Sequence, residues 1–346
     1  MCRWTRDGSR SRRGYGHERH GGWWNFGRRS EEIPREPLDE DTRRAVDLPR
    51  TLRWVPGDDV VQRPVFDPAL KHHQNAYRAT DPRFTDPTRG EAWRTARRRA
   101  LDLVLEAVAD SEWADALVLR GSVLMSAWFG DAAREPGDLD FVVVPHTWRI
   151  DDGRTERMLS GIAGAAQALA DARGREIGVS ARGAVVEDIW TYDRVPGRRM
   201  VLPWGSPGLP GGHVQLDFVF NEKLPEDPGP VELPGGAIVW AATPELSLAW
   251  KLMWLISDMH GQGKDLYDAV LLAERHPLRR ELLHEVFRLS GEWPSYREEI
   301  LLEDVVEAAG YVEWDHFVTE YPRFKNAERE FADRLVRALA PTFADA

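Results

Sequence analysis

Apolar positions recur along this chain at two different spacings, and the change from one to the other divides it. Over Glu91–Asp110, Trp93, Ala96, Ala100, Leu103, Val104 and Ala107 fall on one face at helical spacing, which predicts an amphipathic helix. A short apolar run at Ala116–Leu119 predicts a buried strand. Gly121-Ser122 then opens a helix running to Phe129, and Asp138–Val144 reads as a strand ending in a continuous apolar run. Arg154–Ala172 is a small-residue helix. Strands follow at Ala184–Trp190, Arg199–Leu202, Val214–Phe220 and Ala237–Trp240, separated by Gly/Pro turns. From Pro244 onward the period turns helical, with helices expected over Pro244–Met259, Lys264–Glu274, Leu278–Leu289, Ser295–Ala308 and Trp314–Leu339. The order predicts an α+β chain, with a mixed-sheet core over 111–242 and a helical C-terminal domain over 243–346.

Residues 1–30 carry neither period. They hold eight Arg against Asp7 and Glu18, with Trp23-Trp24 among glycines, and are expected to be disordered. They read either as an extension without a role or as an Arg/Gly/aromatic tail that touches RNA. Pro34, Pro37, Pro49, Pro56, Pro64 and Pro68 interrupt residues 31–90, which are expected to wrap irregularly around the body. The domain reading is therefore an Arg/Gly/Pro-rich extension over 1–60, then an irregular segment and first helix over 61–110.

Composition narrows the class. The 346 residues carry a net charge of −11, against a generic nucleic-acid coat though not against a local basic site. Cys2 is the only cysteine, which excludes a disulfide framework and a multi-cysteine zinc site. No apolar run reaches the roughly 20 residues of a membrane span, and no apolar stretch follows the N-terminal arginines. A cytoplasmic protein with no membrane partner is expected. Only five of the 46 basic residues are lysines, namely Lys71, Lys223, Lys251, Lys264 and Lys325.

The chemistry concentrates in Leu117–Pro145. Alternation along a strand puts Asp138 and Asp140 on one face, about 7 Å apart along the backbone. Two like charges so placed call for a cation, and carboxylate oxygens completed by water and phosphate suit Mg²⁺. Ser122, at a helix start, offers a hydroxyl and free N–H groups to a phosphate, or is a plain N-cap. Asp39-Glu40-Asp41 has the same spelling in a Pro-rich stretch and reads as a solvated turn. Asp217 stands among apolar neighbours in Val214–Phe220, where an unpaired carboxylate is costly to bury. It completes a three-carboxylate cluster if its strand lies beside that of Asp138. Otherwise it pairs with an arginine or faces solvent.

Gly121-Ser122, Asp138-Leu139-Asp140 and the distal Asp217 together resemble the DNA polymerase β-like nucleotidyltransferase superfamily. More narrowly, the chain resembles the AbiEii/AbiGii toxin family of bacterial nucleotidyltransferases. That likeness rests on Leu119-Arg120-Gly121-Ser122 through Asp138-Leu139-Asp140-Phe141, on Pro244–Leu252 with its Lys251, and on Lys264-Asp265-Leu266-Tyr267-Asp268. It covers residues 91–276.

The resemblance implies a polymerase β-like core that transfers a nucleoside monophosphate from an NTP to a hydroxyl acceptor, such as tRNA or another nucleic acid. It implies a toxin with a cognate antitoxin. Asp138, Asp140 and Asp217 would hold two Mg²⁺ (or Mn²⁺), and Asp217 would help deprotonate the acceptor. Gly121 and Ser122 would hold the β/γ-phosphates, Lys251 the triphosphate, and Asp265 would orient it or bind the acceptor. Asp268 reads as an ordinary helix carboxylate, and Gly261-Gln262-Gly263 as a flexible joint that lets the site close. A small-molecule, aminoglycoside-like nucleotidyltransferase and a non-catalytic nucleotide-binding module are the alternatives. A metal-dependent glycosyltransferase leaves Gly121-Ser122, Asp217 and the Lys251/Asp265 helices unexplained.

Overall fold

The computed structural model describes residues 33–34, 38–174, 176–192, 195–294 and 298–344. The readings made for residues 1–30, an RNA-touching tail included, lie outside the described residues.

After a short helix α1 (Glu40–Ala45), the segment before the core forms β1 (Val60–Val61), β2 (Pro64–Phe66), β3 (Tyr77–Ala79) and β4 (Arg83–Phe84). The core follows as α2 (Pro87–Ala109), β5 (Leu117–Arg120), α3 (Ser122–Phe129), β6 (Asp138–Val143), α4 (Gly153–Ala172) and β7 (Gly178–Val179). It continues through β8 (Val185–Tyr192), β9 (Val195–Gly205), β10 (Gly212–Val219), β11 (Gly229–Glu232) and β12 (Ile238–Ala241). The C-terminal helices are α5 (Pro244–Ser257), α6 (Gly263–Arg275), α7 (Arg280–Ser290), α8 (Leu302–Ala309), α9 (Trp314–Glu320) and α10 (Glu328–Phe343). The expected α+β organisation is what the chain adopts.

The sheet runs β11-β12-β5-β6-β10-β9-β7, with β8 also pairing with β9. It is mixed, because β6 lies parallel to β10 and β12 parallel to β5, while the other pairs are antiparallel. Alternation on β6 gives it two dry faces. Leu139, Phe141 and Val143 join a core with Ala100 and Val104 of α2 and Met158 and Ile162 of α4. Val142 points the other way, into a core with Leu252 of α5, Leu266 of α6 and Leu335 of α10. Both faces of the central strands are therefore covered, as their long apolar run requires.

Four expectations need correction. The extension over 1–60 is not uniformly without structure, since Leu48, Leu52, Trp54 and Val60 are buried. Asp39 is no turn residue but the N-cap of α1, accepting from Thr42 N at 2.8 Å. The long last helix is two, α9 and α10, parted by a 3₁₀ turn at Pro322–Phe324 where proline cannot continue the ladder. The helix expected over Ser295–Ala308 forms only from Leu302, and residues 295–297 are not among those described.

Residues 38–84 wrap the core, as expected of 31–90, and do so through polar anchors. Glu187 of β8 accepts from Arg50 N, Thr51 N and Thr51 Oγ1, and His73 Nε2 lies 3.0 Å from it. Arg78 of β3 grips Glu320 of α9 with two hydrogen bonds, at 2.8 and 2.9 Å. Arg83 donates to Thr319 O at 2.6 Å. One segment thus ties the sheet to the C-terminal helices. Leu52, 2% exposed, tests this packing. Leu52→Ala should lower the unfolding free energy by about 2–4 kcal/mol in urea titrations. A loss below about 0.5 kcal/mol, the range of surface substitutions, would show that the segment does not pack on the body.

Candidate active site

Register decides the site. In the parallel β6/β10 pair Asp140 stands opposite Asp217, and Asp138 opposite Gln215. Because partners in register share a face, the two aspartates of β6 and the one of β10 converge. Carboxylate oxygens of Asp138, Asp140 and Asp217 lie within 4.8 Å of one another. The same row continues on both sides, with Arg120 of β5 opposite Asp140, Arg199 of β9 opposite Asp217, and Glu187 of β8 opposite Arg199. Five charged residues therefore cross the sheet in the order Arg120, Asp140, Asp217, Arg199, Glu187.

The flanking charges are engaged outward. Arg120 is buried between Trp250 and Trp254, 5.1 Å from each ring, and pairs with Glu222 at 2.8 Å. Arg199 grips both oxygens of Asp217, at 2.9 and 2.8 Å, and reaches Asp67 Oδ2 at 2.6 Å. Asp140 has no such grip. Burial, then the neighbouring charges of Asp138 and Asp217, push its carboxyl up from 3.8 to about 8. Burial raises Asp217 as well, against the pull of Arg199. Burial also acts on Asp138, yet Lys264, Arg134, Arg199 and the Ser122 hydroxyl outweigh it and hold that carboxyl low. Three clustered carboxylates, one of them kept protonated near neutrality by burial and by its two acidic neighbours, form an all-oxygen donor set suited to a hard divalent cation.

Gly121 and Ser122 sit directly against this row. Gly121 is the N-cap of α3 with φ +83°, and a Cβ there would run into the Asp140 carboxylate. Ser122 is the first residue of the helix. It is 1% exposed, and its Oγ donates to Asp138 Oδ1 at 3.1 Å.

Lys251 and Asp265 belong to a second cluster. The Lys251 ammonium is buried, 2.6 Å from Asp265 Oδ1, 3.2 Å from Asp268 Oδ2 and 5.0 Å from the Trp254 ring centre. Arg134 binds both oxygens of Asp268. Two cations and two carboxylates thus neutralise one another where α5 and α6 meet the loop before β6. Asp268, read as an ordinary helix carboxylate, is instead fully buried and central to this quartet. The Gly261-Gln262-Gly263 joint is packed rather than loose. Gln262 bridges to Glu313, Glu313 N donates to Gly261 O at 2.7 Å, and a Cβ on Gly263 would meet Phe317 and Trp314.

Residues not anticipated from the sequence are Arg134, Arg199, Asp67, Glu187 and Lys264. A cavity of about 150 Å³ opens beside Asp138, lined in part by Arg78, Arg97, Arg134, Lys264, Gln215 and Tyr321. Arg78, Arg97 and Arg134 are tied to Glu320, Asp81 and Asp268. Lys264 is half-buried and has no hydrogen bond or ion pair among the described residues, while its charge is felt at Asp138, Asp140, Asp67 and Glu320. Lysine scarcity and its place at the head of the Lys264–Asp268 motif were the sequence signals pointing to it.

Two outcomes check this geometry. Asp140, with its folded pKa raised, favours the folded chain below about 4 and loses that contribution as pH rises through about 8. Asp140→Asn has no charge to bury. In EDTA its Tm should therefore climb relative to the parent as pH goes from about 4 to about 8, and a gap that does not change with pH would contradict the assignment. Lys251→Met strands the Asp265 and Asp268 carboxylates beside one remaining cation. It should cost about 3–5 kcal/mol of stability by urea unfolding, whereas a lysine serving only a ligand phosphate would leave stability unchanged.

A family model described as nucleotidyl transferase AbiEii toxin, Type IV TA system, matches residues 103–345. A similar solved structure is that of JHP933 from Helicobacter pylori, 14% identical, aligned over 73% of this chain and 93% of that one with a TM-score of 0.43. No curated protein matches. Among the described residues no helix is long and apolar enough to cross a membrane. With the family model spanning well over half its length, the chain belongs to the AbiEii nucleotidyl transferase toxin family of type IV toxin–antitoxin systems.

Proposed function

We propose that this nucleotidyltransferase toxin moves a nucleoside monophosphate from an NTP to a hydroxyl of an RNA acceptor, with two Mg²⁺ held by Asp138, Asp140 and Asp217. The observation that carries the reading is the carboxylate row, three aspartates within 4.8 Å on paired strands, with no cation hydrogen-bonded to Asp140 among the described residues. Divalent ions bound there neutralise charge on the transferring phosphoryl group and make the acceptor hydroxyl more acidic.

The chain's own residues supply the rest. Lys264, which lines the cavity beside Asp138 and has no ion pair among the described residues, meets the triphosphate. The role first considered for Lys251 passes to it, since Lys251 is enclosed by Asp265 and Asp268. Backbone N–H groups at the start of α3, from Ser122 onward, face the same row and suit phosphate oxygens. Asp217, fixed by the two-point grip of Arg199, receives the acceptor proton. The acceptor oxygen bonds to the α-phosphorus as the bond to the β-phosphate bridge breaks, and pyrophosphate leaves. Asp265 acts by orienting the Lys251 cluster. A cognate antitoxin is the expected partner, as membership of a toxin–antitoxin family suggests.

The test incubates the protein with each α-labelled NTP, Mg²⁺ and total bacterial RNA. RNA should become labelled, with Asp138→Asn and Asp140→Asn lowering the rate by at least about 10²-fold and Lys264→Ala by roughly 10–10²-fold, at unchanged Tm for Lys264→Ala. Asp39→Asn should be silent. Label confined to small molecules would favour an aminoglycoside-like acceptor, and absence of any transfer would leave a nucleotide-binding module.

A further inference from the structure

Asp67 lies outside residues 103–345, the part of the chain the family model matches. It sits after β2 at the start of a 3₁₀ turn, Pro68–Leu70, where its Oδ1 accepts from Ala69 N at 3.1 Å. Its Oδ2 accepts from Arg199 Nη1 at 2.6 Å, while Arg199 Nε and Nη2 hold Asp217. Asp67, Arg199 and Asp217 are all buried, so solvent ions screen little of their interaction.

A guanidinium committed to Asp217 alone would cancel that carboxylate's negative charge and repel an arriving cation. Sharing it with Asp67 changes the balance. Arg199 and Asp67 together are neutral, so Asp217 keeps its charge for the row. The three-donor fork of Arg199 is also fixed from both ends, which sets the plane of the Asp217 carboxylate.

From this geometry we infer that Asp67 is a positioning residue for the divalent-cation site, supplied by the N-terminal segment and acting through Arg199. The inference rests on the metal-site reading above. It gives the segment a task beyond packing: its turn at 67–70 sets how strongly the catalytic row attracts a cation. Arg78 to Glu320 and Thr51 to Glu187 hold that segment in place on either side.

The isosteric change Asp67→Asn keeps an oxygen to accept from Ala69 N, but the atom facing Arg199 becomes an NH2 that cannot accept, so the charge and that hydrogen bond are lost together. Mn²⁺ binding, read from the free-ion EPR signal, should weaken on the order of tenfold or more, as expected for one charge close to the cation in a partly buried site. The double variant Asp67→Asn/Arg199→Gln removes both members of the neutral pair and should return affinity to within about threefold of the parent, a coupling that a double-mutant cycle isolates. Asp140→Asn serves as the control for the metal site itself and should abolish tight binding. Parent-like Mn²⁺ affinity in Asp67→Asn, with or without a lower Tm, would reduce Asp67 to an anchor and overturn the inference. So would a double variant no better than the single one. A parent that binds no Mn²⁺ would instead remove the metal reading, and the relay with it.

Discussion

The parallel, in-register pairing of β6 with β10 is the constraint on which the rest depends. One residue of slippage would turn Asp217 to the opposite face, into the core shared with α2 and α4. The register is held by what lies on that other face. Leu139, Phe141, Leu216 and Phe218 are fully buried there, with the Phe141 and Phe218 rings stacked at 5.7 Å. Hydrophobic packing on one side of the sheet thus brings like charges together on the other, at a cost those charges could not offset unaided.

The two ionic clusters are built from the same residue types to opposite ends. Lys251, Arg134, Asp265 and Asp268 balance one another, and such a closed group fastens α5 and α6 to the loop entering β6. In the carboxylate row Arg120 pairs with Glu222, and Arg199, which holds Asp217, also pairs with Asp67, so the two arginines leave negative charge in the row. A satisfied cluster holds structure in place. An unsatisfied one is available for chemistry.

Much of this was legible in the chain and some was not, for identifiable reasons. β6 was readable because its apolar run and its two aspartates report local alternation, and α2 and α4 because their stripes are long. Asp217 was readable as a strand carboxylate in an apolar setting, though its neighbour was not, since strand order is a property of the whole sheet. Arg199 looked like any of many arginines, and Asp67 like a turn residue in a Pro-rich stretch. Their partners are 132 residues apart in sequence and no local pattern marks such a pair. Asp268 was misjudged because helical spacing shows which face a carboxylate occupies but not that the face is closed by Arg134 from the loop before β6. The break at Pro322 was visible as a residue and passed over in favour of the periodicity around it.

The anchoring of residues 38–84 at Glu187, Arg199 and Glu320 has a consequence for how the molecule is made. Synthesis delivers the N-terminal segment first, but its docking points arrive far later, and Glu320 comes 242 residues after the Arg78 that grips it. Contacts of such long range cannot form until nearly the whole chain has left the ribosome. A growing polypeptide therefore has Asp138 and Asp140 long before it has Lys264 and Glu320, and its N-terminal segment is fully docked only after residue 320 has emerged.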